Sequence, residues 1–162
     1  MRRECQAEVT VNSRAEAIWA VVSDVTRVGE WSGECRGCTW LTGFDRAEPG
    51  ARFRGRNRRG GFRWTRLNEI VAVDPPTELV WRTIPTWPYP DSVEWRMTIV
   101  SDQVGTRVSE SFRILRIPRA MEWLVGLAVP AHRDRTDDLA RDLVRLKSLV
   151  EARLDPGSPQ PG

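Results

Sequence analysis

The segment AHRDRTDDLARDLVRLKSLVEARL, residues 131–154, decides how the rest of the chain must be arranged. Leu139, Leu143, Leu146 and Val150 recur at i, i+4, i+7 and i+11, which on a helical period is one apolar stripe, and charged side chains dominate the other faces. A helix this one-sided lies across something apolar. His132, the single histidine, stands seven residues before Leu139 and so shares the stripe, near the start of the helix and facing what it covers. The segment DPGSPQPG that follows has the composition of a disordered tail over 155–162.

What the helix covers is written upstream. Six short segments, CTWLTG, ARFRGRN, FRWTRLNEIVAV, ELVWRT, SVEWRMTIV and TRVSESFRIL, read as strands. Pro49-Gly50, Arg59-Gly60-Gly61, Asp74-Pro75-Pro76, the PTWPYPD loop and Asp102 to Gly105 separate them with turn chemistry, so neighbouring strands run antiparallel. Ahead of these, ECQAEVTV suits a first strand. SRAEAIWAVVSDV then predicts a helix, with Ser13 and Glu16 as an S-x-x-E capping box and Ile18, Trp19 and Val22 as its buried stripe. TRVGEWS holds one more short helical turn. A sheet of this length curls, and a helix laid across its concave face leaves a space between the two layers.

Composition narrows the function classes. The chain has 162 residues, long enough for one domain with a core of its own. Its 40% hydrophobic content contains no apolar run near the ~20 residues a membrane-spanning helix needs, and MRRECQAEVTV has no apolar segment behind its arginines. The expected location is the cytoplasm, with no integral membrane segment. Three cysteines cannot form a fully paired secreted framework. The net charge is +3, and Lys147 is the only lysine, so the basic residues are otherwise arginine.

At this point the chain resembles the START-like, or Bet v 1-like, superfamily (SRPBCC), which includes the polyketide cyclase/dehydrase and lipid-transport family. AIWAVVSDVTRVGEWSGEC, PGARFRGRNRRGGFRW, DPPTELVWRT and GTRVSESF resemble that family's recurrent segments in the same order, and the likeness spans about residues 4 to 153. It implies an α+β helix-grip fold: a curved seven-stranded antiparallel sheet wrapped around a long C-terminal helix, with two small helices between strands 1 and 2. It also implies one ligand-binding domain over 1–154. The family includes carriers, sensors and cyclases, so the resemblance carries the fold further than the function.

Strand alternation then tells which side chains face the cavity. In SVEWRMTIV they are Val93, Trp95, Met97 and Ile99; in ELVWRT they are Leu79 and Trp81; in ARFRGRNR, Phe53 and Asn57 point in while Arg52, Arg54, Arg56 and Arg58 point out. Eight tryptophans offer large flat apolar walls with one donor each, suited to a lipid, polyketide or aromatic, steroid-like ligand. The expected ligand-contacting set is Trp31, Phe53, Asn57, Trp64, Trp81, Trp95, Met97, Phe112 and Trp123; Trp19 is expected to fill the core. The segment 118–129 suits a lid over the entrance.

Glu110 shares a face with Val108, Phe112 and Ile114. Two readings stand: it is tied to an arginine such as Arg66 or lies in water near the mouth, or it holds a polar ligand group or acts as an acid/base with a raised pKa. Glu110 and His132 are the candidate catalytic pair if the protein is a cyclase or dehydrase; a carrier needs only the apolar enclosure.

Two patterns invite other chemistry. RFRGRNRRGGFRW has the arginine and aromatic content of a single-strand nucleic-acid binder, but strand alternation and a Gly60-Gly61 turn account for the same residues, so no nucleic-acid partner is expected. Cys35 and Cys38, in EWSGECRGCTW, form a C-x-x-C. A redox dithiol of that kind opens a helix after a strand, whereas this one follows a helix and leads into a strand. A zinc site would need Cys5, Cys35, Cys38 and His132 together. The thiols are expected at the edge of the cavity, with no metal, no cofactor, and a monomer or homodimer as the assembly.

Overall fold

The computed structural model describes residues 3–118 and 134–153. The chain begins with β1 (Glu4–Val11), then α1 (Ala15–Val22), a 3-10 turn (Val25–Arg27) and α2 (Val28–Trp31). Six strands follow: β2 (Cys35–Trp40), β3 (Arg52–Arg59), β4 (Phe62–Asp74), β5 (Glu78–Thr83), β6 (Ser92–Ser101) and β7 (Thr106–Arg116). The helix α3 (Thr136–Glu151) closes the fold. The strands form one antiparallel sheet in the order β1-β7-β6-β5-β4-β3-β2, so β1 and β2 are its edges. This is the curved seven-stranded sheet, long C-terminal helix and pair of small helices of a helix-grip fold.

Leu139, Leu143, Leu146 and Val150 are all buried, as the stripe requires, and α3 packs on β1, β7 and α2. Its far end is sewn to the sheet edge. Lys147 Nζ donates to the Thr10 carbonyl at 2.8 Å and lies 3.6 Å from Glu151, whose Oε1 accepts from Asn12 N–H at 2.7 Å.

The start of α1 differs from the sequence reading. Arg14 is its N-cap, no side chain caps it, and Ser13 Oγ has no partner. Ser13 is engaged through its backbone instead: its carbonyl accepts from Thr106 Oγ1 at 2.7 Å, and Glu16 turns to Arg14 at 3.5 Å. Ile18 and Val22 are buried, while Trp19 is half-buried at the margin of the core.

Two glycines are needed where they stand. Gly60 has φ 58° in the two-residue β3–β4 turn, a conformation that a side chain disfavours. A Cβ on Gly29 would lie 2.9 Å from the Arg36 carbonyl oxygen, so its absence lets α2 press on β2. That approach carries Trp31 inward to 2% exposure.

Candidate functional site: a cavity between sheet and helices

Between the concave sheet and the helices lies a cavity of about 750 Å³. One wall is a cross-strand row. Trp81, Trp95 and Phe112 are successive register partners across β5, β6 and β7. The indoles of Trp81 and Trp95 stack at 6.2 Å with an 8° interplanar angle, and Phe112 meets Trp95 edge-on at 5.0 Å. Both are geometries that aromatic pairs favour. The next rung inward is Leu79, Met97 and Glu110.

Of the expected ligand contacts, Trp31, Phe53, Asn57, Trp64, Trp81, Trp95 and Phe112 line the cavity. Met97 does not. It is 0% exposed in the main core with Ile18, Val21 and Val22 of α1, which contacts β6, so an inward position on the strand leads there into packing rather than space. Trp123, His132 and all of the expected lid but Pro118 lie outside the described residues.

Glu110 is 3% exposed, lines the cavity, and its Oε2 has no hydrogen-bond partner. Burial raises its pKa, the Asp142 charge adds to the effect and Arg135 opposes it; the result is a carboxyl group pushed up to about 8. At neutral pH it is therefore largely an acid, able to donate. Arg66 is not its partner. That guanidinium is held by Asp91, with Nη1 at 2.9 and 3.0 Å from the carboxylate oxygens and Nη2 at 3.0 Å from the carbonyl, and it lies 5.4 Å from the Tyr89 ring. Asp91 engages both terminal nitrogens of the arginine from the loop before β6, so Arg66 is turned to that loop rather than to Glu110.

The charge nearest to Glu110 comes from the start of α3 and its flanks. Arg135 is 9% exposed; it bonds Glu34 through Nη2 and spreads its guanidinium over Trp95 at 5.3 Å and Phe112 at 5.2 Å. Arg59 joins the cluster, 3.0 Å from Asp138 and 3.8 Å from Glu34. Asp142 accepts from Gly33 N–H at 2.8 Å and Ser32 Oγ at 3.3 Å, and burial raises its pKa despite these bonds. Sequence reading missed Arg135, Glu34, Arg59 and Asp142. Arg135 had a signal: it is four residues before Leu139, on the stripe already extended back to His132.

The thiols are inside the cavity wall. Cys35 and Cys38 are free, buried and 3.4 Å apart, and both line the space. Cys5 is on the opposite edge strand, with its thiol 3.7 Å from Asp134 Oδ1. Cys5 thus does not join Cys35 and Cys38, and no group of three His, Cys, Asp or Glu side chains suited to a metal occurs among the described residues. No helix among them is long and apolar enough to cross a membrane.

A family model described as polyketide cyclase / dehydrase and lipid transport matches residues 2–151. The chain belongs to this family. Solved structures agree on the fold. Protein CV1439 from Chromobacterium violaceum superposes with a TM-score of 0.68 at 15% identity, over 93% of this chain and 99% of that one. The polyketide-cyclase-like protein Cgl2372 from Corynebacterium glutamicum gives 0.60 at 21%, over 94% and 93%. Ginseng major latex-like protein 151 from Panax ginseng gives 0.64 at 13%, over 93% and 95%. No curated protein matches in sequence. Family and fold together fit hydrophobic ligand binding or cyclase-like chemistry.

Proposed function

We propose that this protein binds a hydrophobic small molecule with at least one flat apolar ring system, held in the cavity between sheet and α3. The observation that carries this is the row Trp81–Trp95–Phe112, which lines a space of ligand size with two parallel indoles and a phenyl ring. Trp31, Phe53, Trp64 and Asn57 complete the contacts, and Glu110, neutral at pH 7, donates a hydrogen bond to an acceptor on the ligand. Titration with a hydrophobic probe should quench tryptophan emission, and Trp95→Ala should weaken binding by roughly tenfold, the loss of one large aromatic contact. Unchanged affinity in that variant counts against the assignment. Native mass spectrometry of protein purified from its own host would identify a retained ligand directly.

A second reading is a cyclase or dehydrase in which Glu110 moves protons, with His132 as its partner. The raised pKa and unpartnered Oε2 of Glu110 favour it, since a general acid works best with a pKa near the operating pH. Turnover abolished by Glu110→Gln, with probe binding intact, would establish the enzyme. Binding and function unaltered by that change would leave the carrier.

A further inference from the structure

Between Glu48 and Glu69 the chain carries seven arginines and no acidic residue. Three of them are held by carboxylates: Arg52 by Glu69, Arg59 by Asp138 and Arg66 by Asp91. The other four, Arg54, Arg56, Arg58 and Arg63, are exposed and have no acidic partner among the described residues. Phe53, Gly55, Asn57 and Arg59 line the cavity, so strand alternation turns Arg54, Arg56 and Arg58 to the outer face of β3. Arg63 is the register partner of Arg58 and shares that face. Arg58 Nε bonds the Gly60 carbonyl at 3.0 Å, which holds its guanidinium beside the hairpin turn. Arg56 and Arg54 follow about 7 and 13 Å behind it along the strand.

The same end of the molecule carries bare aromatic side chains. The β3–β4 turn, the end of β5, the start of β6 and the end of β7 all lie there, because neighbouring strands alternate in direction. Phe62, at the hairpin tip, is 64% exposed and stacks on Trp64 at 5.4 Å; both line the cavity, which places the tip at its rim. A Cβ on Gly60 or Gly61 would meet nothing within 4 Å, so the tip projects clear of the described residues. In the β5–β6 loop, Thr86 N–H bonds the Tyr89 carbonyl at 2.9 Å and leaves Trp87 at the apex, 93% exposed, while Tyr89 lines the cavity.

We propose that this rim docks on an anionic lipid membrane, with Phe62 and Trp87 entering the interface and Arg58 and Arg63 meeting lipid phosphates. Aromatic rings are favoured at the boundary between headgroups and acyl chains, and arginine pairs with phosphate through two N–H groups. Arg56 lies within the ~8 Å screening length of physiological salt and Arg54 just beyond it, so they add graded attraction without contact. A membrane fits better than another polyanion on the reading that the cavity holds a hydrophobic molecule, because a bilayer is where such a molecule is dissolved and Phe62 stands at the opening. Nucleic acid would use the same arginines but gains nothing from an opening beside them.

The test sediments the full chain with vesicles of phosphatidylcholine alone or of equal parts phosphatidylcholine and phosphatidylserine, beside titration with anilinonaphthalene sulfonate in solution. Binding should be at least about tenfold stronger to the anionic vesicles and should fall with added salt. The double variant Arg58→Gln with Arg63→Gln should lose about 25-fold, roughly fivefold for each arginine. Trp87→Ala should weaken binding, and lipids brominated on their acyl chains should quench the tryptophan emission of the parent more than that of this variant. None of these three residues lines the cavity, so both variants should bind the probe in solution as the parent does. Equal binding to the two kinds of vesicle, or vesicle binding unchanged in the arginine double variant, overturns the proposal. So does capture of a single-stranded oligonucleotide by the parent and not by the double variant, without vesicle binding, which would give the face to nucleic acid. Probe binding without vesicle binding overturns the membrane surface and leaves the cavity reading standing; vesicle binding without probe binding keeps the surface and overturns the cavity reading.

Discussion

Glu110 shows how much one buried carboxyl can govern. In the unfolded chain it releases its proton near the ordinary value of 4.5, whereas in the fold it holds that proton up to about 8. Below pH 4 the carboxyl is protonated in both states and its ionisation costs the fold nothing. Between 4.5 and 8 the unfolded chain binds fewer protons than the native one, so native stability falls as pH rises. Glu110→Gln, neutral at every pH, should match the parent near pH 4 and exceed it near pH 9 by roughly 2–5 kcal/mol, read from urea midpoints. A constant difference across that range would show that the carboxyl titrates normally. At this scale the sequence was partly legible: alternation on β7 placed Glu110 inward, but nothing local could say that Arg66 would be taken by Asp91. Met97 failed for a related reason. Alternation gives the face of a strand, and whether that face meets space or packing depends on α1, which lies far away in sequence.

At the scale of elements, the cavity is a property of strand register. Trp81, Trp95 and Phe112 meet only because β5, β6 and β7 are aligned to bring them onto one rung. The alignment is reinforced on the opposite face by Glu94, 4% exposed, which accepts from Arg82 at 2.9 Å and Arg113 at 2.9 Å. Burial raises the pKa of Glu94, but these bonds outweigh it and leave it lowered, so the glutamate stays ionised. The loop between β5 and β6 has its own clamp in Arg66 and Asp91, whose side chains are 12% and 14% exposed. Arg66→Ala leaves Asp91 without its cation and should cost about 1–3 kcal/mol by chemical denaturation. It should also loosen the wall formed by Tyr89. The strands themselves were readable from turn residues and alternation. The irregularity in β2, a register shift between Cys35 and Gly37, was not, because a bulge is decided by the partner strand, so the C-x-x-C spacing alone could not tell that both thiols would line the cavity.

For the molecule as a whole, the order of elements was the strongest signal, since one strand, a helical insertion, six strands and a closing helix have few ways to bury their apolar faces together. The stripe on α3 is the part most exposed to disruption. Leu143 is 0% exposed in the main core, and Leu143→Ala should cost about 2–5 kcal/mol in thermal or urea unfolding. A loss below about 1 kcal/mol would mean that the helix is not seated as described. The other end of that seating has a chemical consequence. Lys147 is the sole lysine of the chain, and its ammonium reaches the Thr10 carbonyl at the seam between α3 and β1. A reagent that acylates side-chain amines therefore has one target, and the acyl group would cancel the charge that also attracts Glu151. Because that side chain is 39% exposed, the rate of its acylation gauges how firmly the Thr10 carbonyl and Glu151 hold the ammonium.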